Sequence, residues 1–509
     1  MSLPVLDIDR VTKRFGALLA NDAVSLSLDR GEVLALLGEN GAGKTTLMSI
    51  LFGHYVADEG EVRVAGPDGR MAPLPPGSPK AAIAAGIGMV HQHFALADSL
   101  SAFDNIVLGT EPLWRPWRAP RPERQRLEGL MADSGLAVDL AVPAGRLTVG
   151  ERQRVEILKA LYRDARILVL DEPTAVLTPQ EADGLFATLD KLTARGLSVI
   201  FISHKLGEVL AVADRVAVLR QGRKVFEAAN DGLDRGTLAE AMVGRPLAPP
   251  QRPPARRGRP VLVLDGVAVA GRQGRAGLEA AELTVHAGEV VGIAGVSVNA
   301  QEALAAVISG LAAPTAGRVL VDGAPLAPRP AAAVAAGIGR IPEDRHRDGV
   351  VGDMSVEENL VLEDLFGPGT QRRGLLRFGA IRRRALKAIA DYDVRCPGPA
   401  AKVRALSGGN MQKLLLARAL EPEPTLVVAA QPSRGLDIGA TQAVHARLLA
   451  ACARGAAVLL ISEDLDELMA LSDRLYVIFH GRLAEAGSPD ALDVRRIGLM
   501  MAGQPAEAA

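Results

Sequence analysis

Cysteine is nearly missing from this chain: Cys396 and Cys452 are the two thiols in 509 residues. Two thiols cannot make a disulfide framework, so the fold has to stand on an apolar core in a reducing compartment. An excess of either charge is missing too, with 58 Lys and Arg against 59 Asp and Glu. That balance argues against a large general affinity for nucleic acid, and none is expected as a partner. No run approaches the ~18 uninterrupted apolar residues of a membrane span. Met1-Ser2-Leu3-Pro4 shows neither the basic n-region nor the apolar h-region of a signal peptide. Any membrane role is therefore expected to come through a partner.

What is present is a duplicated α/β chain. Apolar residues make up 48% of it, enough for substantial cores, and at roughly 100–200 residues per domain the length suggests two to four domains. Gly31-Glu32-Val33-Leu34-Ala35-Leu36-Leu37-Gly38 returns as Gly288-Glu289-Val290-Val291-Gly292-Ile293-Ala294-Gly295. Ala85-Gly86-Ile87-Gly88 returns as Ala336-Gly337-Ile338-Gly339, and Ala213-Asp214-Arg215-Val216 is echoed by Ser472-Asp473-Arg474-Leu475. The order is the same in both halves, which reads as one domain duplicated. The reading gives domain one as residues 1–247, a Pro/Arg-rich extended linker over 248–260, and domain two as 261–509. The linker's basic run reads as solvated charge. Leu34–Leu37, Ile167–Leu170 and Ser198–Ile202 are short apolar runs bounded by Gly or charge, the pattern of buried, largely parallel strands with helices on both faces.

Gly38-Glu39-Asn40-Gly41-Ala42-Gly43-Lys44-Thr45 matches the phosphate-binding P-loop, G-x-x-x-x-G-K-[ST]. It follows an apolar strand and opens a helical stretch that begins at Thr46. Glycines let the backbone wrap phosphates, and a helix N-terminus favours anions. Lys44 is expected to reach the β- and γ-phosphates, and the Thr45 hydroxyl to ligate Mg²⁺. Ile167-Leu168-Val169-Leu170-Asp171-Glu172 reads as a strand that delivers two carboxylates beside that loop. Asp171 would hold Mg²⁺ through water and Glu172 would polarise an attacking water.

Leu406-Ser407-Gly408-Gly409-Asn410-Met411-Gln412-Lys413 resembles the signature sequence of the ABC ATPases. The resemblance spans about residues 4–503 and implies two tandem ABC-type P-loop ATPase domains folded as an intramolecular head-to-tail pseudo-dimer. It implies that Ser407, Gly408, Gly409 and Asn410 face the P-loop of the opposite domain, so that ATP is sandwiched between the two. It places Phe15 as the aromatic stacking on adenine, though alone such a residue is more often core. It places Gln92 as the glutamine that senses Mg²⁺ and couples to the membrane domain, and His204 as the switch histidine at the γ-phosphate. Within the family the chain resembles tandem ATPases of bacterial importers for nucleosides and simple sugars. Gly88 to Phe94, Leu147 to Glu151 and Pro342 to Gly349 are similar to the nucleoside branch. The resemblance then implies ATP and Mg²⁺ as cofactors and two transmembrane permease subunits as partners. An extracytoplasmic solute-binding protein acts indirectly, and the chain takes a peripheral place on the cytoplasmic face of the inner membrane. Coupling to the permeases is expected after Gln92 and Glu343, through Phe94, Leu96, Phe103 and Arg345 to Asp348.

The two copies are unequal. Where the first has its P-loop, the second reads Gly295-Val296-Ser297-Val298-Asn299-Ala300-Gln301-Glu302. Gln301 replaces the lysine, Glu302 the hydroxyl, and Val298 and Ala300 replace glycines. Ala430 and Gln431 stand for Asp171 and Glu172, Glu343 for Gln92, and Glu463 for His204. The signatures divide the other way: domain one has Leu147-Thr148-Val149-Gly150-Glu151, with Val149 for a glycine. Gly435-Leu436-Asp437 resembles the family's D-loop, where domain one has Val176-Leu177-Thr178. Crosswise sharing pairs the intact loop with the intact signature and the decayed loop with the decayed one. A ribosome-acting tandem ABC protein would keep both sites and carry a long charged helical linker. A DNA-repair ABC ATPase would need a coiled-coil or zinc-finger insertion. Neither feature is in the sequence.

Overall fold

The structure, a computed structural model, divides into two compact units, Met1–Leu247 and Ala248–Ala509. It describes residues 4–66, 68–91, 94–110, 120–174, 177, 179–203, 205–246, 252, 257–271, 276–295, 300–492, 494–501 and 503.

In the first unit the chain opens with two long antiparallel strands, Pro4–Phe15 and Leu18–Asp29. With Glu59–Ala65 and Met71–Pro73 they form a four-stranded antiparallel sheet. Its strands alternate apolar and polar residues because only one face is covered. The second sheet has six strands, in the order Arg223–Ala229, Arg215–Arg220, Val33–Leu37, Ser198–Ile202, Ile167–Asp171 and Ile87–Val90. All neighbours run parallel except the edge strand Arg223–Ala229. Val33–Leu37 and Ser198–Ile202 are buried at every residue, as a parallel strand covered on both faces requires. The second unit repeats the plan. Its antiparallel sheet is Leu278–His286, Pro260–Val269, Ala316–Val321 and Ala324–Pro325, and its six-stranded sheet centres on Val290–Ala294.

The repeated sequence fragments turn out to be two ends of one clamp. Glu32 accepts from the Arg215 guanidinium at 2.7 and 3.0 Å, and the Val33 amide donates to Asp214 at 2.8 Å. In the second unit Glu289 accepts from Arg474 at 2.8 Å and the Val290 amide donates to Asp473 at 2.8 Å. Each clamp fixes the start of the strand that leads into the phosphate-type loop. Glu289 is fully buried and also contacts His286 and Arg257. Burial opposes its charge, but the bonds from Arg474 and His286 prevail and hold the carboxyl below its ordinary range.

The basic run at the start of the second unit also makes ion pairs. Arg252 pairs with Asp490 at 2.6 Å, Arg257 with Glu289 at 3.1 Å, and Arg259 with Asp322. Three arginines that read as linker are thus anchored on the second unit. Both cysteines are free, and burial pushes the Cys452 thiol up to about 12. Among the described residues no helix is long and apolar enough to cross a membrane.

Candidate functional site

The chain leaves the strand Val33–Leu37 at Gly38 and enters the helix Lys44–Leu51 at once. Two glycines are obligatory in the loop between. Gly38 has φ +153°, and a Cβ there would run into the Leu219 carbonyl. Gly43 has φ +101°, and a Cβ would strike the Ala20 carbonyl and come within 2.6 Å of the Asn21 amide nitrogen. Asn21, wholly buried, donates to the Gly43 carbonyl at 3.1 Å and pins the loop to the antiparallel sheet. No side chain at Gly43 caps the helix, so the first-turn amides keep their capacity for an anion. The loop's tip, Asn40 and Gly41, is exposed, Glu39 is half-buried and Ala42 is buried. The Lys44 ammonium lies on the loop's own carbonyls, 2.5 Å from Gly38 and 3.1 Å from Glu39. Thr45 is exposed on the first turn and Thr46 half-buried behind it.

Two strands over, Ile167–Asp171 ends beside the same sheet edge, with Ser198–Ile202 between. Burial and the neighbouring Glu172 push the Asp171 carboxyl above its ordinary range, and Lys44 and His91 pull the other way. Glu172 holds a left-handed backbone, φ +49°, fixed by its amide donating to the Ile202 carbonyl at 2.8 Å. Phe15 is 41% exposed at the end of its strand, and Tyr55 meets it edge-on with ring centroids 5.3 Å apart.

Where it is described, the second unit keeps the flanking strand and helix and discards the chemistry. Ala300 takes the place of Gly43 with φ +75°, a strained value for a residue with a Cβ. Gln301, almost fully buried, donates to the Gly295 carbonyl at 2.9 Å, the bond that Lys44 makes to Gly38. It carries no charge, and its other amide atom, the buried Oε1, has no hydrogen-bond partner. Glu302 stands where Thr45 does and lies 3.5 Å from Arg347. Gln431 copies the turn of Glu172, with φ +49° and its amide donating to Ile461 at 2.8 Å. Its side chain accepts from the Glu463 amide at 3.3 Å.

The signature loops differ in how their hydroxyls are used. Thr148 caps its helix Val149–Tyr162 in a closed capping box with Glu151, whose carboxyl is held low by those bonds. Ser407 opens the helix Gly408–Leu420 without making any cap bond. Asn410 donates to it at 2.9 Å and accepts from the Arg395 amide at 2.8 Å. The hydroxyl of the second unit's loop is held by the Asn410 side chain and caps no backbone amide of its helix. Asp437 caps the helix Ile438–Ala453 through the Ala440 amide at 2.7 Å.

Gln92 and His204 lie outside the described residues, as do Val176, Thr178 and Val298. Asn21, Tyr55 and His91 were not legible as site residues. Asn21 has a faint signal, a polar side chain at an inward position of an otherwise apolar-facing strand. Tyr55 and His91 have none, being brought in from distant segments by packing.

A glycine loop feeding an uncapped helix, a lysine in its first turn and two acids on a nearby strand define a P-loop ATPase, and the same sheet plan returns in the second unit without the lysine or the acids. The chain belongs to the ABC transporter family, whose pattern matches residues 21–175 and 278–433. A glucose import ATP-binding protein of Haloferax volcanii is 43% identical, over 98% of this chain and 96% of its own length. A guanosine import ATP-binding protein of Bacillus subtilis is 40% identical, over 98% and 97%. A ribose import ATP-binding protein of Burkholderia thailandensis is 38% identical, over 97% and 96%. Among solved structures, a single ATP-binding cassette of an ABC transporter in its ADP conformation aligns with 48% of this chain and 100% of that chain. The identity there is 25% and the TM-score 0.42.

Proposed function

We propose that this chain hydrolyses ATP at one competent site to drive an importer whose solute is a nucleoside. The observation that carries the single site is the asymmetry: Lys44, Asp171 and Glu172 in the first unit, against Gln301, Ala430 and Gln431 on an equivalent backbone. Phe15 stacks the adenine. The amides from Gly38 to Thr46 cradle the phosphates, and Lys44 moves from the loop carbonyls to the β- and γ-oxygens. Glu172 orients the attacking water, with His204 and Gln92 as its neighbours at the γ-phosphate. Ser407, Gly408, Gly409 and Asn410 complete the site crosswise.

The donor set suits Mg²⁺. Asp171 suffers both burial and a like charge beside it, a situation that a divalent cation relieves, and Thr45 offers a hydroxyl on the helix's first turn. Mg²⁺ takes few protein ligands when phosphates supply the rest. Thr45, Asp171 and Gln92 would hold it, and when bound it neutralises charge on the β- and γ-oxygens.

Two transmembrane permease subunits and an extracytoplasmic solute-binding protein complete the importer, with this chain peripheral on the cytoplasmic face of the inner membrane. Phe366, Leu375 and Phe378 are 89%, 76% and 73% exposed, apolar area of the kind that a partner covers. The guanosine-import relative supports a nucleoside, and the glucose-import relative at 43% favours a second reading, a simple sugar such as ribose or galactose. The test is ATPase in the complex reconstituted with partner permeases and a solute-binding protein. Stimulation by nucleosides and not by ribose, galactose or glucose is expected; the reverse pattern replaces the first reading with the second.

A further inference from the structure

The stretch Arg345 to Asp348, after Glu343, is among those expected to couple to the permeases. His346, Arg347 and Asp348 are exposed, but Arg345 turns inward. Its guanidinium donates to the Gly408 carbonyl at 3.2 Å and to the Arg434 carbonyl at 2.8 Å. Gly408 directly follows Ser407 in the signature loop. Arg434 precedes Gly435, whose left-handed backbone (φ +66°) leads into the Asp437 helix cap. One side chain therefore joins three loops: the one after Glu343, the signature loop and the turn before Asp437.

The arrangement has a second tie and a fixed base. The Arg434 side chain returns to Glu343 as an ion pair. Asp344 accepts from the amides of His346 and Arg347, both at 3.0 Å, which locks the backbone that carries Arg345. Space is tight: a Cβ on Gly435 would sit 3.1 Å from the guanidinium, and one on Gly408 3.4 Å from it. Both positions are glycine, so the arginine lies flat against them. Arg347 also reaches Glu302 at 3.5 Å, but that pair is exposed and contributes little. Arg345 is half-buried, and charge-assisted bonds to carbonyls are the stronger kind.

Among the described residues the first unit shows no counterpart of the device. Aligning Gln92 on Glu343 puts Phe94 at the position of Arg345, and that unit's signature has Val149 for Gly408 and a closed capping box on Thr148. The arginine fork occurs in the unit whose signature loop is intact.

We propose that Arg345 is a positioning residue for ATP hydrolysis, fixing the Ser407–Gly409 loop to the segment that begins at Glu343. It does not touch ATP. The role rests on the reading above, that this signature loop completes the competent site. A fork that sets the loop's place acts on turnover and leaves the P-loop's own hold on nucleotide intact.

The test is steady-state ATPase of the full chain in its reconstituted complex, with thermal unfolding alongside. Arg345→Ala lowers kcat about tenfold while the KM for ATP stays within about twofold, and the melting temperature stays close to that of the parent. Arg345→Lys keeps the charge but loses the fork, and recovers only part of kcat. Arg434→Ala removes the tie to Glu343 but keeps the carbonyl, and gives the milder defect. Wild-type kcat in Arg345→Ala overturns the proposal, and so does a loss of kcat that merely follows a fall in stability. If Arg345→Ala does not fold, Arg345→Lys decides: a lowered kcat at unchanged KM supports the role, and full kcat overturns it. Lys44→Ala is the separate control. Its full activity would remove the proposed ATP site itself, whatever Arg345 does.

Discussion

Lys44 and Gln301 occupy the same turn and make the same bond, to the carbonyls of Gly38 and Gly295. That bond therefore does not need a charge; only phosphate does. Lys44→Ala should lower ATPase by roughly 10²-fold or more, the scale of losing one preorganised electrostatic group. Glu172→Gln should leave ATP binding intact and slow hydrolysis on the order of 10²- to 10⁴-fold. Gln301→Ala should leave most of the turnover. Near-equal losses in Lys44→Ala and Gln301→Ala, measured as ATPase rates, would refute the single competent site. Glu289 tests the scaffold in the same way. Its folded pKa is depressed, so its stabilising contribution is complete above the unfolded value and disappears as pH falls through the folded one. Glu289→Gln should cost about 3–5 kcal/mol at neutral pH, the scale for breaking a buried pair. The gap to wild type should narrow as pH drops below the ordinary carboxylate range, read as melting temperature against pH.

At the scale of the element, the two phosphate-type loops show what a Cβ does to a left-handed position. Gly43 at φ +101° has no room for one, whereas the second unit accommodates Ala300 by turning φ to +75°. Gly43→Ala should therefore displace the loop from Asn21 and weaken ATP binding at least tenfold, the left-handed penalty alone being about 1–2 kcal/mol. Ala300→Gly should change neither ATPase nor ATP affinity. Equilibrium binding of a fluorescent ATP analogue separates the two, and unchanged affinity in Gly43→Ala would count against the loop geometry. The sequence made the central strands legible because burial on both faces leaves continuous apolar runs, such as Val33–Leu37. It did not reveal the antiparallel sheet. Pro4–Phe15 carries Asp7, Asp9, Arg10, Lys13 and Arg14, none of them buried, and they dilute the apolar signal. The P-loop and the acid pair were legible because their chemistry tolerates few residue types. Asn21, Tyr55 and Arg345 were not, since each acts through a contact with residues distant in sequence.

At the scale of the whole chain, the decisive pattern is how the losses are distributed. The first unit keeps Lys44, Asp171 and Glu172 but has Val149 and a Thr148 hydroxyl committed to its own capping box. The second has Gln301, Ala430 and Gln431 but keeps Ser407, Gly408 and Gly409, with the Ser407 hydroxyl unused as a cap. Independent decay of two separate ATPases would have no reason to spare complementary halves. If the intact parts serve one site, damage to the second unit's loop must silence the first unit's chemistry. Ser407→Arg places bulk and a misplaced cation on the loop while leaving Lys44 and Glu172 untouched. ATPase and transport in that variant should fall by at least tenfold, comparable to losing one well-placed group at the reacting phosphate. ATP affinity should fall far less, because the adenine and phosphate contacts of the first unit remain. Thr148→Arg, its counterpart on the decayed signature, forfeits the capping box at a cost of about 1 kcal/mol of stability but should leave turnover within about twofold of wild type. Full ATPase activity in Ser407→Arg would mean that each unit acts alone, and the crosswise pairing would have to be abandoned.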